Sequence, residues 1–220
     1  DDYVAAGSTV TVLADVDRPE FPSLERIAVE FHSGDATNRA LLDELDVATF
    51  DHIIVLSYRD GIDAQRSDSK TLITLLQLRD MAELSGIQLN IVSEMLDDRN
   101  RELAEVTDAD DFIVSDQLIS RIVSQVSENK TLIQVFDSLF SSTGSEIYLY
   151  PAEHYLTAGS TVNFYTVLEA ARQRGETALG YRSAAHAHRA DSGYGIVLNP
   201  TKGDAIAFAA GDQVIVLAEG

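Results

Sequence analysis

Cysteine is absent from all 220 residues, which removes disulfides, thiolate metal centres and cysteine nucleophiles and fits a reducing compartment. Long apolar runs are absent as well. None approaches the roughly 18 to 20 residues that would span a bilayer, so these residues predict a chain that works in water. No basic, apolar and small-residue leader opens the sequence, and no secretory signal is expected. Positive charge is scarce: 36 Asp and Glu stand against 16 Lys and Arg, a formal net charge of -20. From residue 151 onward there are 7 acidic and 5 basic residues, which leaves 29 against 11 in the first 150. A negative field of that size repels phosphate backbones and anionic lipid, so nucleic-acid binding is disfavoured, while cations are attracted. Two accounts of the charge stay open: solubility in a salty environment, or a divalent-cation site.

Several catalytic signatures are also absent. There is no G-x-S-x-G nucleophile turn, no Walker-type phosphate loop and no G-x-G-x-x-G dinucleotide turn. Nothing singles out a carboxylate pair for glycoside hydrolysis. No enzyme is indicated.

What is present is an ordinary globular composition, 45% hydrophobic, with regular alternation of element types over the first 115 residues. Thr9 to Leu13, Ile27 to Phe31, His52 to Leu56, Gln88 to Val92 and Phe112 to Val114 read as strands. Several are apolar on both faces, the pattern of parallel strands covered by helices. Helical stripes lie between them, at Asn38 to Asp46 and at Asp68 to Ser85, the second stopped by Gly86. The expected fold class is α/β, a Rossmann-like doubly wound parallel sheet with right-handed crossovers.

Ser115 then reads as the cap of an amphipathic helix carrying Leu118, Ile119, Ile122, Val123 and Val126. A second stripe, Leu132 to Phe140, follows, and the two predict a helical hairpin. The run Ser141-Ser142-Thr143-Gly144-Ser145 reads as a linker. Beyond it, four strand-like runs and a single helix over Asn163 to Arg174, ended by Gly175, describe a smaller α+β unit. The expected organisation is a Rossmann-like regulatory domain over 1–115, a helical crossover over 116–141 and a small domain over 146–220.

In an open α/β sheet, ligands collect at the carboxyl ends of the strands. Asp15, Asp35, Ser57 and Glu94 stand at such ends and are the candidate ligand-binding residues. Helix capping is the competing account of the carboxylates. Asp108, Asp110 and Asp111 form a second acidic cluster, a candidate calcium site, although their spacing is not that of an EF-hand loop. His186 and His188 alternate, which could place both on one side of a strand for a transition metal, or simply mark a polar loop.

Specific segments resemble a known family. Ser33-Gly34-Asp35-Ala36-Thr37-Asn38, followed by a Leu-rich helix and Asp51 to Leu56, resembles the strand, turn and next strand of regulator-of-potassium-conductance domains. Asp2-Tyr3-Val4, Leu13-Ala14-Asp15, Asp68 to Asp80, Val92 to Asp97, Tyr150 to Leu156 and Ala178 to Arg182 are similar to the cytoplasmic module of Castor/Pollux-like ion channels. The resemblance covers nearly the whole chain. It implies a cytoplasmic ligand-sensing module of a cation channel, conducting potassium or regulated by calcium. Such modules are linked to a membrane pore and assembled into a homo-oligomer, either a dimer or a gating ring, in which calcium or another small ligand biases the ring geometry. It also implies that the helical hairpin crosses to a neighbouring module. A fragment of a nucleotide-dependent oxidoreductase and a free-standing transporter subunit remain as alternatives.

The sequence departs from the dinucleotide-binding pattern in one respect. Thr9 to Leu13 ends in Asp15, the acid that follows the second strand of that fold. The first strand and its glycine turn are expected upstream or replaced, and these 220 residues are not expected to bind NAD in the usual way.

Overall fold

The computed structural model describes residues 5–59, 61–100, 112–141, 143–157, 159–187 and 189–219. The acidic cluster Asp108, Asp110 and Asp111, and His188, lie outside the described residues. The chain divides into two compact units, Asp1–Asn129 and Lys130–Gly220. The division falls between the two helices predicted as a hairpin.

Among the described residues, the first unit holds five strands, parallel within each of two groups. β1 (Thr9–Ala14) pairs with β2 (Ala28–Ser33), and β3 (Ile53–Val55), β4 (Ile91–Met95) and β5 (Phe112–Val114) form a three-stranded group in the order β3-β4-β5. Helix α1 (Arg39–Glu44) connects β2 to β3, and helix α2 (Ala64–Ser85) connects β3 to β4. The predicted α/β class with parallel strands is what the fold shows, but the sheet is in two pieces.

Helix α2 begins a turn earlier than its apolar stripe suggests. Asp63, at a β-region φ/ψ, caps it by accepting the Arg66 N–H, and Gly86 ends it in the left-handed region at φ 67°. The Ile87 N–H returns to the Ala82 carbonyl at 3.1 Å, closing the last turn. Asp68 is therefore an interior residue and fully buried. Its carboxylate accepts the backbone N–H groups of Leu96 and Asp97 at 2.9 and 3.0 Å and the Asn100 amide at 2.7 Å. These bonds meet the demand that a buried polar group be satisfied, and they fix the turn after β4 to the helix. Further along, Leu75 and Leu78 pack with Leu42, Val47 and Ile91, joined by Leu13, Ile53 and Val55.

Ser115 was expected as a helix cap. In the structure it is the first residue of helix α3 (Ser115–Glu128), and no side chain caps that end. Its hydroxyl donates to Glu94 instead.

The second unit opens with helix α4 (Leu132–Leu139), which precedes an antiparallel sheet. β6 (Ser145–Pro151), β11 (Gln213–Glu219), β8 (Thr177–Arg182) and β9 (Ile196–Leu198) lie in that order across it. Two short strands missed by sequence patterning, β7 (Thr161–Asn163) and β10 (Ala205–Ala207), pair with each other. Helix α5 (Phe164–Gln173), capped by Asn163, buries Phe164, Val167 and Ala171 against Val214, Val216 and Phe208. Gly180 is required where β8 meets β9, because a Cβ there would stand 2.1 Å from the Val197 carbonyl oxygen.

Replacing Leu75, 1% exposed, with Ala should destabilise the first unit by about 2 to 5 kcal/mol. Leu84→Ala, at a site 75% exposed on the same helix, should cost under about 0.5 kcal/mol. Urea unfolding followed by far-ultraviolet circular dichroism separates the two.

Candidate functional site

The parallel strands of the first unit bring their carboxyl ends to one edge, where the chain changes from apolar to polar. Asp15 follows β1, Asp35 follows β2, Ser57 follows β3, and Glu94 lies in the last turn of β4. The structure sorts these four residues into two clusters, on either side of the consecutive residues Ser57, Tyr58 and Arg59.

The first cluster joins β1, β2 and α2. Asp35 accepts the Thr37 N–H at 3.0 Å and its hydroxyl at 2.9 Å, so it organises the turn that leads into α1. Lys70, from α2, donates to the other Asp35 oxygen at 2.7 Å. The Lys70 ammonium lies 5.1 Å from the centre of the Tyr58 ring, and the Tyr58 hydroxyl accepts the Asp15 N–H at 3.1 Å. The Lys70 hydrogen bond, with the Thr37 N–H behind it, holds the Asp35 carboxyl below the ordinary carboxylate range. The same bond raises the Lys70 ammonium, against the effect of burial.

The second cluster gathers on the Glu94 carboxylate. One oxygen accepts the Ser57 N–H at 3.0 Å. The other receives the Ser115 hydroxyl and Arg59, the latter at 2.8 Å. The Ser57 hydroxyl donates to the Glu94 carbonyl at 2.8 Å. Arg59 reaches further, to the Ser115 hydroxyl at 3.1 Å and to Asp116 at 3.4 Å. Burial pushes Glu94 up, yet the Ser115, Arg59 and Ser57 donors outweigh it and the net shift is downward. Through this carboxylate the ends of β3 and β4 are tied to the first turn of α3.

Sequence reasoning placed the four residues at one edge. It missed Tyr58, Arg59, Lys70 and Ser115, the groups that engage them. An arginine just past the end of β3, in so acidic a segment, was the available signal for Arg59; Lys70, inside α2, gave none. Among the described residues, no group of three or more His, Asp or Glu is placed to hold a metal ion. His186 lies in a short 3-10 turn, Ala184–His186, rather than on a strand, and its side chain is exposed.

Comparison with known proteins adds a lineage. The family model described as the TrkA-N domain matches residues 3–115. The protein named Ion channel POLLUX of Lotus japonicus is 32% identical over 227 residues, covering 90% of this chain and 24% of that protein. Probable ion channel CASTOR of Oryza sativa subsp. japonica is 29% identical over 259 residues, covering 100% of this chain and 28% of that protein. The chain thus spans about a quarter of the length of these relatives. Among solved structures, the GsuK channel bound to NAD aligns over 95% of this chain and 32% of that one, at 18% identity and a TM-score of 0.41.

The Asp35–Lys70 pair sets a pH dependence with a definite sign. Asp35 is lowered on folding, so its contribution is present above the unfolded carboxylate value of about 3.9 and is lost as pH falls through the folded value. Lys70 is raised, so its contribution is present below about 10.4 and is lost as pH rises through the folded value. Urea midpoints of the parent and Asp35→Asn chains should differ at neutral pH and converge at both extremes. A difference that is the same at every pH would contradict the pairing.

Proposed function

The chain belongs to the TrkA-N domain family, and from that premise we propose that it is the regulatory module of a cation channel, sensing a small ligand or calcium and passing the event to a linked pore. The curated relatives named as ion channels support the channel assignment, and the carboxylate clusters at the strand ends support the sensing role. The observation that carries the proposal is the Glu94 node, where one carboxylate is shared between two strand ends and the first turn of α3.

A cation approaching this edge competes with groups already bound. Asp35 and Glu94, one in each cluster, are the carboxylates for which such a ligand competes. Taking Glu94 releases Arg59, and taking Asp35 releases Lys70. The first change alters how α3 is held, and the second alters how α2 is held. Binding thereby becomes a change in helix position, as regulation of a linked pore requires. In this module the residues bind and transmit and no bond of a substrate is broken. The alternatives of an oxidoreductase fragment and a free-standing transporter subunit have no comparable support among the curated relatives.

The amphipathic faces of α3 and α4 fit a homo-oligomer. None of the residues of either helix is buried, and Leu118, Ile119, Val123, Ile133 and Val135 are 44 to 60% exposed. Apolar stripes of this kind are covered in an assembled protein, and a neighbouring copy in a dimer or ring is the proposed cover. Placement on the cytoplasmic side of a membrane follows from the same channel assignment.

Calorimetric titration of the chain with calcium chloride should give saturable heat, and Glu94→Gln should weaken binding at least about tenfold, the loss of one charged ligand. No heat from either chain would end the calcium reading. Light scattering should show a concentration-dependent oligomer that Ile119→Asp with Val123→Asp converts to monomer. A parent chain that stays monomeric at high concentration would remove the helix interface.

A further inference from the structure

The chain leaving β3 is shared between the two carboxylate clusters. Ser57, Tyr58 and Arg59 lie past the end of that strand, in neither helix nor strand. Successive side chains of a strand turn to opposite sides, and the contacts keep that alternation beyond its end. Ser57 and Arg59 turn to β4: the Ser57 hydroxyl donates to the Glu94 carbonyl at 2.8 Å and the Arg59 guanidinium to the Glu94 carboxylate at 2.8 Å. Tyr58, between them, turns to β1 and α2. Its hydroxyl accepts the Asp15 N–H at 3.1 Å, and its ring centre lies 5.1 Å from the Lys70 ammonium that donates to Asp35. One half-buried ring thus stands between the Asp35–Lys70 pair and the Glu94 node.

That ring is held at two points. The Lys70 ammonium over its face is attracted by the π-system, and its hydroxyl is pinned to the β1 end by the Asp15 N–H. The peptide groups on either side of it carry Ser57 and Arg59. A ring released from Lys70 gains freedom, and the two neighbours that bond Glu94 gain it as well. A second route between the clusters runs through α2, where Thr71, next to Lys70, has its hydroxyl 3.5 Å from that of Ser57. This contact is well beyond the roughly 3.0 Å limit of an ordinary O–H···O bond, so the ring is the firmer link.

We infer that Tyr58 couples the two clusters, so that loosening the Asp35–Lys70 pair loosens the hold of Ser57 and Arg59 on Glu94. The reverse holds too, because a coupling between two sites is reciprocal. The coupling belongs to the folded chain without ligand and does not depend on the channel assignment. Its consequence for sensing rests on the function proposed above: a ligand that takes one carboxylate lowers the cost of taking the other, and the two clusters respond together.

Amide hydrogen exchange in the ligand-free chain reads the coupling, because each cluster holds a reporter N–H. The Ser57 amide donates to Glu94 and the Asp15 amide to Tyr58. Lys70→Met keeps the apolar stem and removes the ammonium. It should speed exchange of the Ser57 amide about tenfold, while the amide of Leu78, buried in the same unit, changes under about twofold. Arg59→Met should speed the Asp15 amide by a similar factor. In a Tyr58→Leu background Lys70→Met should add nothing to the Ser57 rate, whereas Tyr58→Phe, which keeps the ring, should preserve the effect. An unchanged Ser57 rate in Lys70→Met would overturn the inference, and so would an increase no larger than that of Leu78, the mark of global destabilisation. An effect that survives Tyr58→Leu would pass the coupling to Thr71 and overturn the role of the ring, as would its loss in Tyr58→Phe. A calcium titration without heat would remove the consequence for sensing and leave these rates as they are.

Discussion

A carboxylate at the end of a largely buried strand must find donors, and Glu94 finds them on two other segments. Its oxygens take the Ser57 N–H, the Arg59 guanidinium and the Ser115 hydroxyl, so the end of β3, the end of β4 and the start of α3 meet on one charged group. Removing a single partner would leave part of that charge unsatisfied in a partly desolvated place, which is more costly than the bond itself is worth. The geometry of the strand ends is therefore held by a group that can also be competed for. A site intended to report binding needs both properties, since a ligand shifts a structure only where its contacts differ between two arrangements.

Asp68 shows the other use of an acid in the same unit. It is fully buried, makes three hydrogen bonds to the turn after β4, and lies on the face of α2 that continues into Leu75 and Leu78. The amino half of α2 thus packs through polar groups and the carboxyl half through apolar ones. The two carboxylates divide the labour. Asp68 fixes the turn to the helix in the interior, while Glu94, near the surface, shares its bonds with an arginine that is half exposed.

Much of the fold was legible in the sequence because strand and helix periods are local. The five β-branched runs, the Leu-rich stripe of α2, the Gly86 stop and the Asn163 cap each follow from residues within a turn or two of one another. The bounds of α2 were not legible, because Asp63 and Asp68 are equally good caps on paper and only the packing of the turn after β4 decides between them. Ser115 was misassigned for a similar reason, its hydroxyl being claimed by a carboxylate 21 residues away. The short strands β7 and β10 carry too few residues for a period of two to stand out.

The sequence by itself determined the element types, the acidic character of the first 150 residues, the absence of catalytic signatures and the placement of Asp15, Asp35, Ser57 and Glu94 at strand ends. Each of these is a property of neighbouring residues or of a sum over the chain. Only the tertiary structure decided that those four residues separate into two clusters, that Lys70 and Arg59 hold them, and that the described strands of the first unit pair as two separate groups. The reason is that hydrogen bonds between strands and ion pairs between elements join residues 35 to 57 positions apart, distances over which no local period carries information.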